Sequence, residues 1–322
     1  MYVPTPASPS LQQEVDAGET AAPMRHGPLG IAAVLAANVF WSFGGVFGKQ
    51  ADAGGVVLSF WRMWAATLVM LLVALVMRRL PTRSDIVRAA PLGVLFGLNI
   101  CAFFITLEYV SVAVALIIGA LTPVVALPIA VLFMGERLTM VKAVCALVAV
   151  TGVVVAVLAA PQSESAEGNQ AVGYLWAVAS LLIWVAYLLM SKRVRAHVDV
   201  VPFMLVMSAV GGLSVTVVVL LTSADLGRLQ GNGWWWMILL ALGPGLAGHG
   251  LVAWAQPRVD VSVSTLLIQA EPVGASIAAW AILGERVSLV QGLAMVAVLA
   301  ALSVLAYREA RDSLVAAGEL VA

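Results

Sequence analysis

The chain alternates long apolar runs with short polar breaks. A membrane-spanning helix needs about 20 mostly apolar residues to cross roughly 30 Å of hydrocarbon, and ten such runs occur here. They cover residues 29–48, 57–77, 89–107, 110–133, 138–158, 172–191, 203–222, 234–254, 261–283 and 287–306. Two of them are weakly marked, because only Glu108 and Tyr109 separate the third run from the fourth and the ninth contains Glu271. The pattern predicts an all-α integral membrane protein with ten transmembrane helices.

Polar segments divide these runs into two groups of five. Residues 1–26 are rich in Pro, Ser, Ala and acidic residues and lack a basic region leading into an apolar run, so they predict a disordered tail rather than a signal peptide. The most polar internal loop, residues 160–171, lies halfway along the chain. We therefore predict a first five-helix unit at 27–159, this loop, a second five-helix unit at 172–307 and a C-terminal tail at 308–322.

Composition supports the membrane assignment and excludes several other classes. Apolar residues make up 62% of the chain and charged residues 11%, whereas a soluble domain carries about 25% charged residues. The 17 basic and 17 acidic residues cancel, so there is no basic field to hold nucleic acid. Cys101 and Cys145 both lie inside apolar runs, and neither a disulfide framework nor a metal site is predicted.

The basic residues are distributed unequally between the two sides of the membrane. With the N-terminus inside and ten alternating spans, 13 of the 17 Lys and Arg residues lie inside, three lie outside, and Arg62 lies within the second span. The positive-inside rule therefore predicts that both termini are cytoplasmic. Merging the third and fourth spans would move Lys192, Arg193 and Arg195 outside and weaken this bias.

The two groups of spans resemble each other. Gly30, Trp41 and Lys49 recur 143 residues later as Gly, Trp and Lys, and the Pro-Val and Gly-Glu-Arg motifs of residues 123–137 recur at an offset of 149. Each unit contains five spans, an odd number, so the second unit must enter the membrane in the opposite sense. Inverted repeats are common in secondary transporters, which bind substrate near the midplane at the repeat interface.

These motifs resemble those of the drug/metabolite transporter superfamily, specifically its EamA-type members with ten helices. The resemblance rests on Trp41 and its equivalent Trp184, on segments 122–137 and 271–286, and on the Gly-His pair at 248–249 ahead of Trp-Ala at 254–255. It covers residues 27–307.

The resemblance implies two inverted five-helix repeats around a central cavity, alternating access, and export of metabolites or amino-acid-like solutes across the inner, or plasma, membrane of a bacterium. It implies no nucleotide cofactor. The expected partners are a small-molecule substrate, membrane lipids and, for a coupled cycle, protons. The sequence leaves open whether the protein is a monomer or a homodimer.

Two ionisable residues lie near the middle of predicted spans, where a charge costs several kcal/mol. Glu271 directly precedes Pro272, which interrupts the helix hydrogen bonding and exposes a carbonyl. An apolar environment favours the neutral carboxyl group, so Glu271 is the candidate proton-coupling residue, with a structural carboxyl group as the alternative. His249, between two glycines, is a candidate for contact with substrate or with Glu271, or a structural histidine.

Two cations near the outer end of the membrane are candidates for an outer gate. Arg62 lies about one turn inside the membrane edge between Trp61 and Trp64. Its side chain can extend toward the interface, or it can capture an anionic group of the substrate. Lys49, at the outer end of the first span, has the same two interpretations.

Uncharged polar and aromatic side chains within the spans are candidates for the cavity wall, because sites for small solutes combine aromatic walls with a few oriented polar groups. They are Asn38, Trp41, Asn99, Tyr187 and Gln269. Gln269 and Glu271 are two residues apart and cannot share a helix face unless Pro272 distorts the helix.

The sequence favours a secondary active transporter over other functions. An uncoupled facilitator of small solutes is the nearest alternative, followed by a flippase for lipid-linked substrates. We do not expect an enzyme, because the spans offer one Glu and one His on different helices and no paired catalytic group.

Overall fold

The computed structural model describes residues 27–110, 115, 118–159, 169–283 and 287–316. All regular secondary structure in these residues is helical, which confirms the predicted all-α class. The predicted N-terminal tail, 1–26, lies outside the described residues, as do residues 317–322 of the predicted C-terminal tail, residues 160–168 of the central loop and the second Gly-Glu-Arg motif at 284–286. Residues 308–316 of the predicted C-terminal tail continue the last helix.

The described residues of the first half include six α-helices with assigned bounds. They are α1 (Pro28–Trp41), α2 (Gly44–Ala51), α3 (Gly55–Val76), α4 (Arg83–Tyr109), α5 (Thr122–Met134) and α6 (Met140–Leu158). The first span is divided into α1 and α2 because the helix is interrupted directly after Trp41.

In the second half, the structure describes seven α-helices and three short helices of other types. The α-helices are α7 (Gln170–Arg195), α8 (Val200–Thr222), α9 (Gly233–Leu240), α10 (His249–Ala255), α11 (Val261–Leu267), α12 (Glu271–Leu283) and α13 (Leu289–Ala316). A 3-10 turn spans Leu226–Arg228, a π-helix spans Ala241–Gly248, and a second 3-10 turn spans Ile268–Ala270. The eighth and ninth spans are therefore interrupted near their middles, at Pro244 and just before Pro272.

The helices account for the predicted membrane spans. Eight helical segments among the described residues are long and apolar enough to cross a membrane. The other two predicted spans, the fourth and fifth, fall on the shorter apolar helices Thr122–Met134 and Met140–Ala156. Residues 111–114 and 116–117, near the start of the fourth predicted span, lie outside the described residues.

Contacts between connecting segments define two ends of the helix bundle. At one end, which we call the inner end, α1 begins and Gly30 packs against Val259. An exposed ion pair joins Arg79 to Asp199 at the same end, with a distance of 3.0 Å.

The opposite end is the outer end. There the Glu108 carboxylate accepts a hydrogen bond from the backbone N–H of Gly55, at the start of α3. The first turn of α7 lies at this end too, because Gly173 packs against Tyr109 and Val110. Since α1 starts at the inner end and α7 at the outer end, the two halves are inverted, as predicted.

Close backbone contacts hold α4 against α8. A Cβ atom on Gly97 would lie 2.6 Å from the Cα of Gly211 and would also overlap its carbonyl group. Small residues permit such an approach, and lipid offers no hydrophobic drive for helix association, so close packing supplies much of the stability.

We expect Gly97→Ala to destabilise the protein by about 2 kcal/mol, because the backbone of α8 must move to admit the methyl group. Gly292→Ala in α13 is the matched control, since a Cβ there meets nothing within 4 Å and alanine favours the helix. Thermal unfolding in detergent measures both. Equal melting temperatures for the two variants would contradict the predicted α4–α8 contact.

Candidate functional site

A cavity of about 180 Å³ lies between the two halves. Its wall combines the α1–α2 break, α3, α4 and the start of α5 with α7, the π-helix and the break before α12. The described lining residues come from both halves: Trp41, Gly44, Gly45, Arg62, Asn99, Ile100, Phe103, Phe104, Thr106, Ala115, Gly119, Ala120, Thr122, Ala177, Ser180, Leu181, Trp184, Leu240, Pro244, His249, Ile268, Gln269, Glu271 and Pro272. On α3, α4 and α7 these residues lie in the outer half of the helix, so the cavity extends from the middle of the bundle toward the outer end.

The equivalent tryptophans of the two halves meet at the base of this cavity. The rings of Trp41 and Trp184 pack edge to face with their centres 5.9 Å apart. His249 packs against both, at 4.8 Å from Trp41 and 5.8 Å from Trp184. Because the two tryptophans are repeat equivalents in direct contact, they lie close to the pseudo-two-fold axis between the halves.

A second pair of repeat equivalents meets just before the start of α5 and at the break in the ninth span. The Gln269 side-chain amide donates a hydrogen bond to the carbonyl oxygen of Ala120 at 2.9 Å. These residues are separated by 149 positions, the offset that relates the later motifs of the repeats. The helix type changes from 3-10 to α between Gln269 and Glu271, and both residues line the cavity.

Arg62 and Glu271 face the same cavity from different halves. Arg62 is only 5% exposed, and its guanidinium carbon lies 5.6 Å from the centre of the Phe104 ring. In the part of the chain that the structure describes, neither side chain makes a hydrogen bond or a direct ion pair, although the two groups lie close enough to interact electrostatically. Arg62 therefore does not extend to the membrane surface. The cavity therefore holds a guanidinium group and a carboxyl group, and both can form hydrogen bonds with a ligand.

Asn99 connects the halves across the cavity wall. Its side-chain amide donates to the carbonyl oxygen of Ser180 at 2.9 Å and to the Ser180 hydroxyl at 3.0 Å. Its own amide oxygen remains an acceptor for a bound molecule.

His249 has aromatic neighbours but no hydrogen bond to its ring nitrogen Nδ1 among the described residues. Phe96, which is not among the described lining residues, packs against the imidazole at 4.7 Å. Gly248 precedes it, and a Cβ there would lie 2.5 Å from the indole nitrogen of Trp41. Glycine at 248 therefore allows Trp41 to approach the π-helix and donate its indole N–H to the carbonyl of Pro244 at 3.0 Å.

Three predicted site residues are not among the described lining residues. The Asn38 amide donates to the carbonyl of Leu267 at 3.2 Å, next to the break in the ninth span. Tyr187 stacks behind Trp184 with ring centres 5.3 Å apart and donates its hydroxyl to the Met207 sulfur. Lys49 is exposed near the end of α2.

The lining also contains residues that the sequence analysis did not single out. Ser180, Phe103 and Phe104 look like ordinary members of apolar helices in the sequence. Thr122 is an exception, because it occupies the position equivalent to Glu271 at the offset of 149. Within the described residues, no group of three or more His, Cys, Asp or Glu side chains is positioned to hold a metal ion.

Two inverted helical halves around a cavity at their interface define a multi-pass membrane protein of the transporter class. The sequence matches the EamA-like transporter family twice, over residues 28–158 and 171–307, and the chain belongs to this family. The resemblance to the drug/metabolite transporter superfamily is thereby confirmed.

One similar solved structure shares this fold. A protein crystal structure aligns with 88% of this chain and 98% of its own, with a TM-score of 0.71. The two sequences are 21% identical, so the similarity supports the fold alone. No curated protein matches this sequence.

Proposed function

We propose that the protein is a secondary active transporter that exports small amphipathic or amino-acid-like metabolites by alternating access. The observation that supports this proposal is the cavity between the repeats, where Arg62 and Glu271 face the same space without direct pairing. A desolvated charge without a partner is costly, so both groups are available to a substrate that carries complementary groups.

Each part of the substrate has a corresponding part of the cavity. Arg62 offers up to five N–H donors to an anionic group, and Glu271 accepts a cationic group or a proton. Trp41, Trp184 and Phe104 supply apolar wall for the remainder of the molecule. Asn99 presents an amide oxygen beside this wall and fixes the orientation of a polar substituent.

We propose that the inner end of the bundle faces the cytoplasm of a cell with this protein in its plasma membrane. The 13-to-3 distribution of basic residues supports this orientation through the positive-inside rule. Export then begins with substrate entry at the inner end and finishes with release from the outer half of the cavity, while protons bound at Glu271 move inward.

A thermal-shift screen of the purified protein against amino acids, nucleobases, sugars and cationic drugs tests this proposal. A ligand that binds the folded state at 100 times its Kd stabilises it by about 2.7 kcal/mol. We expect a compound with an anionic group and an apolar body to raise the melting temperature, and Trp41→Ala to remove the effect.

Trp235→Ala is the matched control, because Trp235 is 69% exposed and lies outside the cavity lining. A ligand whose thermal shift survives Trp41→Ala but disappears in Trp235→Ala binds elsewhere and contradicts the assignment of the cavity.

A further inference from the structure

The inner end of the bundle contains a network of buried charges. Lys192 pairs with Glu136 at 2.9 Å and with Asp260 at 3.2 Å. Lys142 pairs with Asp260 at 3.4 Å and with Glu309 at 3.7 Å. We call these five residues the inner network. The Lys142 and Glu136 side chains are each only 4% exposed.

The inner network joins both repeats. Glu136 and Lys142 belong to the α5–α6 hairpin of the first half, whereas Lys192, Asp260 and Glu309 belong to the second. The Glu136 carboxylate also accepts hydrogen bonds from the first two backbone N–H groups of α11, those of Val261 and Ser262, at 2.8 and 2.9 Å. Glu136 therefore attaches the N-terminus of α11 to the first repeat. The dipole of α11 favours a negative charge at this end of the helix.

Three buried polar side chains beside the network have atoms without hydrogen-bond partners in the described structure. They are Arg195 through Nη1, Gln256 through both amide atoms and Ser262 through its hydroxyl. Buried polar atoms are normally paired, and each unpaired one costs about 1–3 kcal/mol. Water admitted to this region would supply partners for these atoms.

The three side chains lie nearer the inner end than cavity residues of the same chain segments. Gln256 follows His249 by seven residues, directly after the last residue of α10, and Ser262, in α11, precedes Gln269 of the following 3-10 turn by seven. Seven residues are about two helical turns, or roughly 10 Å. Arg195 follows Trp184 by eleven residues, about three turns, on α7. Three segments thus share the same order from the cavity toward the inner end: a cavity residue, then a polar residue with an unpaired atom.

We propose that the inner network is the inner gate of the transport path, and that its release opens a water-filled passage lined by Arg195, Gln256 and Ser262. The proposal rests on the transport function proposed above. Buried ion pairs contribute little net stability compared with solvated charges, so the network can open into water at moderate cost while its geometry selects one closed arrangement.

The rates of thiol labelling at the two sides of the proposed gate test this inference. The reporters are Gln256→Cys on the inner side and Ser180→Cys in the cavity, each in a protein with Cys101→Ala and Cys145→Ala, reconstituted in nanodiscs. A charged maleimide labels only water-accessible thiols. We expect Lys192→Met to make the inner reporter react about tenfold faster, as a minor open state becomes well populated, and the cavity reporter to react more slowly.

Arg79→Met is the matched control, because it breaks an ion pair at the same end whose side chains are 54% and 72% exposed. We expect it to leave both labelling rates unchanged. Lys192→Arg retains the charge and should restore the slow labelling of Gln256→Cys. If Lys192→Met is not monodisperse on size exclusion, Glu309→Gln weakens the same network more gently and is used instead.

Three outcomes would overturn the gate. The first is that Lys192→Met leaves the labelling rate of the inner reporter unchanged. The second is that Lys192→Met speeds labelling at both reporters, which indicates loosened packing. The third is that Arg79→Met has the same effect as Lys192→Met. The measurement requires no substrate, so it can fail while the thermal-shift screen succeeds, and the reverse also holds. The gate and the substrate site are therefore tested separately.

Discussion

We expect Glu271→Gln proteoliposomes to lose substrate accumulation driven by a pH gradient, with flux falling to the level of protein-free vesicles. Glutamine has nearly the shape of the carboxylic acid but cannot release a proton, so the coupled step has no carrier. Exchange of labelled for unlabelled substrate should continue, because it requires only movement of the loaded transporter between its two orientations. Radiolabelled flux with and without a pH gradient distinguishes the two activities.

Asp199→Asn is the control for this substitution, since it removes an exposed carboxylate at the inner end and should leave both activities intact. Wild-type flux that ignores the pH gradient, together with unchanged flux in Glu271→Gln, would show an uncoupled facilitator. Such a result would remove proton coupling and leave the cavity assignment unaffected.

We expect Arg62→Met to weaken binding of an anionic substrate by at least about 30-fold. Truncating one partner of a buried charge pair costs about 2–5 kcal/mol, and 1.4 kcal/mol corresponds to a factor of ten. Arg62→Lys retains the charge but loses the planar fork of donors, so its affinity should fall between those of the wild type and Arg62→Met. Titration calorimetry with the ligand found in the thermal screen measures all three affinities.

Lys49→Met is the matched control, because it removes an exposed cation from the outer part of the first span. It should bind like the wild type. Equal losses of affinity in the Lys49 and Arg62 variants would indicate a general effect of charge and would contradict a specific site at Arg62.

Periodicity in the sequence was sufficient to predict the helical class and the inversion. A helix that crosses hydrocarbon must satisfy its own backbone hydrogen bonds and present apolar side chains over about 20 residues, and both demands are visible in a single sequence. Proline also marked the interruption of the ninth span, at Pro272, because the loss of an N–H group disturbs a helix wherever it is placed.

Which polar side chains face the cavity was less predictable. Asn38 and Asn99 are both asparagines within apolar spans, yet Asn38 bonds to a carbonyl at the break in the ninth span while Asn99 lines the cavity. The difference lies in the rotation of each helix about its axis. That rotation is set by its neighbours, and almost every face of these helices is apolar.

The same limit explains Arg62 and Ser180. An arginine one turn inside the membrane edge can extend to the interface or turn inward, and here the approach of α4 and the π-helix places it beside Phe104 and the cavity. Ser180 has no distinguishing feature in the sequence and gains its position from the hydrogen bond with Asn99.

By itself the sequence determined the number of spans, their alternating direction and the equivalence of Trp41 with Trp184, because these properties depend on local hydrophobicity and on repetition along the chain. Only the tertiary structure decided that the two tryptophans touch, that Gln269 bonds to its own repeat equivalent Ala120, and that Arg62 and Glu271 share one cavity. The residues of each pair lie more than 140 positions apart in the chain. They depend on how inverted halves pack around their common axis, and a single sequence contains no record of that packing.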